Sequence, residues 1–163
     1  MGAKLCHLGG RQPGDYDVNP NTNAYVAGQP LKINTSGQLE LCLCYREGQD
    51  DGYVGLAKGF SGSAVSVANP THPGDLYNGK ATFFMALNII KLDNQDPRNT
   101  AGDDYPYDTN DTFVPGDDLY INNSGKLTNA AGPYDTICAN STPIAVVLAV
   151  GSNQSYLEIL QVR

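Results

Sequence analysis

Residues 119–127 read Leu-Tyr-Ile-Asn-Asn-Ser-Gly-Lys-Leu. Leu119 and Ile121 alternate with Tyr120 and Asn122, the period of a strand with one buried face. Asn123-Ser124-Gly125 supplies a reversal, since glycine takes positive φ without a Cβ clash. Lys126-Leu127 begins the return strand. The same unit stands at residues 31–39, Leu-Lys-Ile-Asn-Thr-Ser-Gly-Gln-Leu, with six of nine positions identical at an offset of 88 residues. The offset holds upstream: Gly28 matches Gly116, Val26 matches Val114, Tyr25 matches Phe113, and Gly14-Asp15 matches Gly102-Asp103. Two related halves are expected, and a repeat constrains the fold before any other reading.

The remaining pattern is also strand-like. Residues 38–45 alternate Leu39, Leu41, Leu43 and Tyr45 against Glu40, Cys42 and Cys44. Residues 53–58, the short β-branched 63–67, the apolar 144–150 and the alternating 155–162 predict further strands. In the first half, 54–57 and 65–67 are expected to follow the hairpin as 144–150 and 155–162 do in the second. The longest apolar segment, 80–92, alternates Phe83, Met85, Leu87 and Ile89. It predicts one strand buried on both faces, with a helix as the alternative. Residues 1–23 are rich in Gly, Asn, Pro and Asp without periodicity, which predicts an extended N-terminal arm. About ten short strands are expected in all. The fold class is therefore all-β, a single barrel-like or sandwich domain over 24–163 with two pseudo-repeated halves.

Composition narrows the function. A chain of 163 residues with 18 Gly, 10 Pro and 10 Tyr favours turns and strands. A net charge of −7 with scattered Lys excludes a nucleic-acid footprint, which needs clustered cations. No apolar run has the length of a membrane span, and the N-terminus lacks a signal-peptide core, so folding in a cytoplasm is expected. Cys42 and Cys44, on one strand face, are badly placed to bond each other. Buried small hydrophobes are the expected role of the cysteines, with a metal site the sharper alternative.

Residues 93–118 hold eight Asp and one basic residue, Arg98. Asp103, Asp104, Asp108, Asn110 and Asp111 offer hard oxygens for calcium, but the spacing is not that of an EF-hand. A solvated acidic loop is the expectation, with no metal and no cofactor. The paired carboxylates lie in turns, the two His stand in Pro/Gly-rich or terminal context, and 59–63 fails the nucleophile-elbow pattern at its last position. No enzyme is expected. The aromatic residues of the loops, Tyr16, Tyr105, Tyr107 and Phe113, suit a contact surface, or they cover the ends of a barrel.

The motifs Val114-Pro115-Gly116-Asp117-Asp118-Leu119-Tyr120, Ser124-Gly125-Lys126-Leu127-Thr128, Pro143-Ile144-Ala145-Val146-Val147 and Leu157-Glu158-Ile159 resemble tailed-bacteriophage capsid decoration (cement) proteins. Gly28-Gln29-Pro30-Leu31 and residues 52–57 echo the same plan. The chain departs from it at Ala145, where glycine is usual. The resemblance implies a small β-barrel without catalytic residues, a homotrimer on the outer surface of the virion, bound to the major capsid protein. Lys4 and Arg11 on the arm, with Tyr16, Tyr105, Tyr107 and Phe113, are the expected partner-binding residues. The alternative is a carbohydrate-binding β-module of a phage fibre or adhesin, with the tyrosines as sugar platforms.

Overall fold

The computed structural model describes residues 16–17, 25–45, 52–58, 80–81, 83–93, 105–132 and 141–163. Among these are eleven strands: β1 (Tyr16–Asp17), β2 (Pro30–Ile33), β3 (Leu39–Leu41), β4 (Tyr53–Ala57), β5 (Lys80–Ala81), β6 (Phe83–Phe84), β7 (Ile89–Asp93), β8 (Asp118–Ile121), β9 (Leu127–Thr128), β10 (Ala145–Val150) and β11 (Tyr156–Gln161). The fold is all-β, as the alternation predicts, with two antiparallel sheets, one curled into a half-barrel. Strand order is β3-β2-β4-β6 in the first sheet and β7-β11-β10-β8-β9 in the second, and β1 pairs separately with β5.

The repeat is present down to single hydrogen bonds. Asn34 Oδ1 accepts from the backbone N–H groups of Ser36 and Gln38 at 2.9 and 3.0 Å. Asn122 Oδ1 accepts from Ser124 and Lys126, both at 3.0 Å. An asparagine at the start of each reversal thus ties two donors that the turn leaves without a ladder partner. Upstream, the Val26 N–H donates to Gln29 Oε1, and the Val114 N–H to Asp117 Oδ2, each at 2.9 Å. The Gly28 N–H reaches the Ala57 carbonyl and the Gly116 N–H the Val147 carbonyl, each at 2.8 Å. Ladder registers agree as well: Pro30 faces Leu56 as Asp118 faces Val146, and Leu56 faces Phe84 as Val146 faces Leu160. The sheet order β3-β2-β4-β6 therefore repeats as β9-β8-β10-β11, with β7 added at the outer side of β11. In the first half the place of β11 is held by β6. Residues 65–67, expected there from the sequence, lie outside the described residues.

Core packing repeats too, but unequally. One cluster joins Tyr25, Leu31, Leu39, Ala57 and Phe83. Their equivalents Phe113, Leu119, Leu127, Val147 and Ile159 all sit in the larger cluster, which also takes in Ile90, Leu92, Tyr107, Ile121, Ile144, Ala145 and Leu157. Leu31, Leu39, Leu119, Ile121 and Leu127 are fully buried as expected, whereas Ile33 is only half-buried. Cys42 and Leu56 reach the larger cluster from the first sheet, with Tyr45, Tyr53 and Phe84 packed alongside. The first sheet is thus covered on both faces, by its own cluster and by the core of the second half.

Three expectations are corrected: the single strand over 80–92, the alternation along 38–45, and the role of Cys44. Residues 80–92 are not one strand buried on both faces. The run breaks after Phe84, where Asn88 Nδ2 donates to the Met85 carbonyl at 2.6 Å and Leu87 takes φ +68°. The chain thereby leaves β4 in one sheet and joins β11 in the other. The alternation along 38–45 also shifts. Leu39 is inside, but beyond Leu41 the buried positions are Cys42 and Cys44 while Leu43 is exposed. Cys44 is disulfide-bonded, so it is not a plain buried thiol, whereas Cys42 is outside any disulfide and its Sγ lies 3.0 Å from the Cys44 carbonyl. Within the stretch read as an arm, Tyr16 and Asp17 form a paired strand. The remainder of residues 1–23 lies outside the described residues.

Candidate functional site

The loop that leads into β8, expected to offer a contact surface, packs partly inward. Pro106 and Tyr107 are buried, and the segment runs beside β9. The Leu127 N–H donates to the Pro106 carbonyl and the Asp108 N–H to the Leu127 carbonyl, each at 2.8 Å. The Tyr107 hydroxyl donates to the Gln154 carbonyl at 3.0 Å, and its ring meets Phe113 edge-on at 5.7 Å. Gln154 closes the same end with its amide. It accepts from the Phe113 N–H at 2.9 Å and donates to the Asp111 carbonyl at 3.0 Å. Tyr107 and Phe113 are therefore core rings that cover the end of the larger cluster, and they leave the set of exposed contact residues. Burial of two rings and satisfaction of one hydroxyl outweigh anything exposure would gain.

Tyr105 stays half-exposed and stacks on Tyr107 with centroids 6.1 Å apart. Tyr16 is half-buried against Phe83 at 5.4 Å and flanks the smaller cluster. Both rings are partly open, but Tyr105 belongs to the second half and Tyr16 to the first, so they do not form one platform. Lys4 and Arg11 lie outside the described residues.

The acidic side chains of this loop accept hydrogen bonds from nearby backbone and side-chain donors. Asp111 accepts from the Thr128 hydroxyl at 2.5 Å, Asp117 from Asn129 Nδ2 at 3.0 Å, and Asp108 from the Asn110 N–H at 3.1 Å. Among the described residues no group of three His, Cys, Asp or Glu side chains is placed to hold a metal ion. Asp103 and Asp104 of the calcium alternative lie outside them.

Two buried glutamines join the halves. Gln29 Nε2 donates to the Gly125 carbonyl at 3.0 Å. Gly125 takes φ +69°, and a Cβ there would stand 2.6 Å from Leu41 Cγ, so this second-half turn needs glycine both for its dihedral and for the first-half leucine above it. At the other seam Gln161 Nε2 lies 3.2 Å from the Tyr53 hydroxyl and 3.1 Å from the Phe84 carbonyl. The Tyr53 ring is only partly covered, but its hydroxyl meets this fully buried amide. Burial pushes the Tyr53 phenol well above its ordinary value, aided by Cys42 and Tyr45 and opposed by the Gln161 hydrogen bond.

What the sequence reading missed is the outer face of the second sheet. Ile90, Leu92, Leu157, Ile159 and Val147 point into the core, so Ile89, Lys91, Glu158, Leu160 and Val146 point outward. Ile89, Leu160 and Val146 are cross-strand neighbours in one row. Ile89 is 66% exposed, Leu87 80% and Met85 54%, and Leu148 adds to the same side at the β10 bulge. The sequence signal was there: residues 145–150, Ala-Val-Val-Leu-Ala-Val, lack the polar half of the alternation that a solvated antiparallel face requires. Among the described residues no helix is long and apolar enough to cross a membrane. No family model, curated protein or solved structure matches the chain.

Proposed function

We propose that this chain is a capsid decoration protein, which binds the outer surface of a phage head through the major capsid protein and stabilises it. The observation that carries the reading is where the resembling motifs lie. The Val114–Tyr120 motif enters β8, Ser124–Thr128 turns into β9, the 143–147 motif enters β10 and the 157–159 motif lies in β11, and these are adjoining strands of one sheet. The resembling motifs thus fall on contiguous strands and their turns, which supports the reading. The candidate site adds support, because it offers area rather than chemistry: an apolar sheet face, partly open Tyr16 and Tyr105, and carboxylates used up in turns. A homotrimer would bridge several capsid subunits, so that weak contacts add through effective concentration. The arm cations Lys4 and Arg11 would set encounter rate and salt dependence, while apolar anchors set lifetime.

The carbohydrate-binding alternative has less support, since two of its four platform rings, Tyr107 and Phe113, are inside the core. Sedimentation of the purified protein with expanded phage heads, beside a glycan screen, separates the two. Saturable binding to heads with no glycan hit is the expected result. A reproducible glycan hit lost in Tyr105→Ala, without head binding, reverses the preference.

A further inference from the structure

We infer that the outer edge of β7 is a strand-addition site, which takes an extended segment of a partner protein as the sixth strand of the second sheet. The repeat already points there. Its four-strand unit is β3-β2-β4-β6 in one half and β9-β8-β10-β11 in the other, and among the described residues only the second is lengthened, by β7 beyond β11. Register fixes which groups of β7 face out. The Leu87 N–H donates to the Gln161 carbonyl at 2.7 Å, and the Gln161 N–H to the Asn88 carbonyl at 2.9 Å. Two residues thus oppose one, a β-bulge that starts the strand. From Asn88 onward the antiparallel ladder bonds Ile90 to Ile159 and Leu92 to Leu157. The N–H and C=O groups of Ile89 and Lys91 then point away from β11. Among the described residues neither has another backbone partner.

The other edges are bonded or short. β9 is flanked by the Pro106 carbonyl and the Asp108 N–H, which both bond to Leu127. β3 has three residues and β6 two, against five in β7. Long open edges are normally blunted, because unpaired ladder groups recruit further strands. This one is led in by apolar side chains instead: Met85, Leu87 and Ile89 are each more than half exposed. Leu87 holds φ +68° at the bulge position that glycine usually takes. An exposed leucine there gains nothing in the isolated chain, whereas a strand laid beside β7 would cover it.

Backbone geometry and charge choose the occupant. Donors and acceptors that recur at every second residue are met in full by another extended backbone, not by the side chains of a folded surface. The apolar lead-in asks that segment for apolar residues in alternation. Lys91 is already held by Asp93 at 3.6 Å and by the Tyr156 ring at 4.4 Å, and Glu158 is its cross-strand neighbour. Two carboxylates thus stand beside one ammonium at this edge, in a chain of net charge −7. A segment with Lys or Arg between its apolar residues complements that charge. The inference does not rest on capsid binding and is read without particles.

The test is fluorescence anisotropy of a labelled synthetic peptide that alternates Val and Lys, titrated with the full chain. The wild type is expected to bind it saturably. Lys91→Pro removes an outward N–H and leaves the bonds to β11 in place, since an edge strand tolerates proline where its N–H faces out. It should weaken binding at least about tenfold. Lys91→Thr loses the same charge but keeps the N–H, and should bind at least as well as the wild type. The same peptide N-methylated at every residue should not bind, which reads the backbone contact without altering the protein. A wild type that does not bind the peptide saturably overturns the inference. Equal binding by Lys91→Pro and the wild type overturns it as well, and so does equal binding of the N-methylated peptide. A wild type that pairs this edge with a second copy in place of the peptide also contradicts it.

Discussion

The two halves of this protein share a hydrogen-bonding skeleton and differ in what surrounds it. The turn at Asn34 and the turn at Asn122 are tied by the same five-residue pattern of acceptor and donors. Around Gly37 there is open space, whereas Gly125 lies under Leu41 and receives the Gln29 amide. The first sheet is covered on both faces and the second on one. A local motif of Asn, Gly and alternating Leu and Ile is therefore enough to define each hairpin. Its energetic weight is set by the layer that the rest of the chain lays over it.

That comparison is most exposed to test at the paired isoleucines. Ile121 is fully buried in the larger cluster and Ile33 only half-buried beside the smaller one. Ile121→Ala should cost about 3–4 kcal/mol and Ile33→Ala about half as much, read by urea unfolding of the two variants. Equal losses would mean that the two clusters are not unequal in the way described.

The glycines come next. Gly37→Ala meets only the strain of positive φ, about 1 kcal/mol. Gly125→Ala meets the same strain and also displaces Leu41, so its loss should be at least twice as large. A Gly125→Ala, Leu41→Ala double variant should recover part of the difference, since the clash is then removed while the dihedral strain remains.

At the seam, Gln29→Ala leaves the Gly125 carbonyl and the Val26 N–H without their partner, for a loss of about 1–2 kcal/mol. Asp117→Ala removes the corresponding acceptor at an exposed N–H of Val114 and should cost less. Thermal melts of the two variants side by side measure the gap.

The smallest effect is one of pH. The phenol of Tyr53 stays neutral in the folded state beyond the range near pH 10 where an unfolded tyrosine ionises. The unfolded chain releases that proton first, so the contribution is fully present below about pH 10 and falls as pH rises above it. Tyr53→Phe should flatten the alkaline limb of the stability curve and leave the neutral region nearly level. An alkaline limb identical to that of the wild type would show that the hydroxyl is not enclosed at the Gln161 seam.

Much of the fold was legible because the repeat carries its own control. Two copies of Leu-x-Ile-Asn-x-Ser-Gly-x-Leu with the same flanks leave little choice of hairpin, and both form as expected. Residues 80–92 misled for a physical reason. Their apolar content serves two sheets in succession, and a composition that fits one two-faced strand fits equally a strand, a tight turn and a second strand. The turn depends on Leu87 accepting a left-handed backbone, which no propensity of leucine announces. The loop aromatics were legible only as two alternatives, a contact surface or a cover for the end of the barrel. Tyrosines in an acidic loop look like a surface, but Tyr107 had a carbonyl to donate to and a core end to close. Aliphatic residues of β10 and β11 look like core, yet half of them face out.

The proposed role is to strengthen a capsid from outside. The measurement that bears on it most directly is heat-induced genome release from phage heads lacking the protein, recorded before and after purified protein is added back. Release should move to higher temperature and saturate once the surface sites are filled. An unchanged release temperature at an occupancy verified by sedimentation, or no occupancy at all, would contradict the claim.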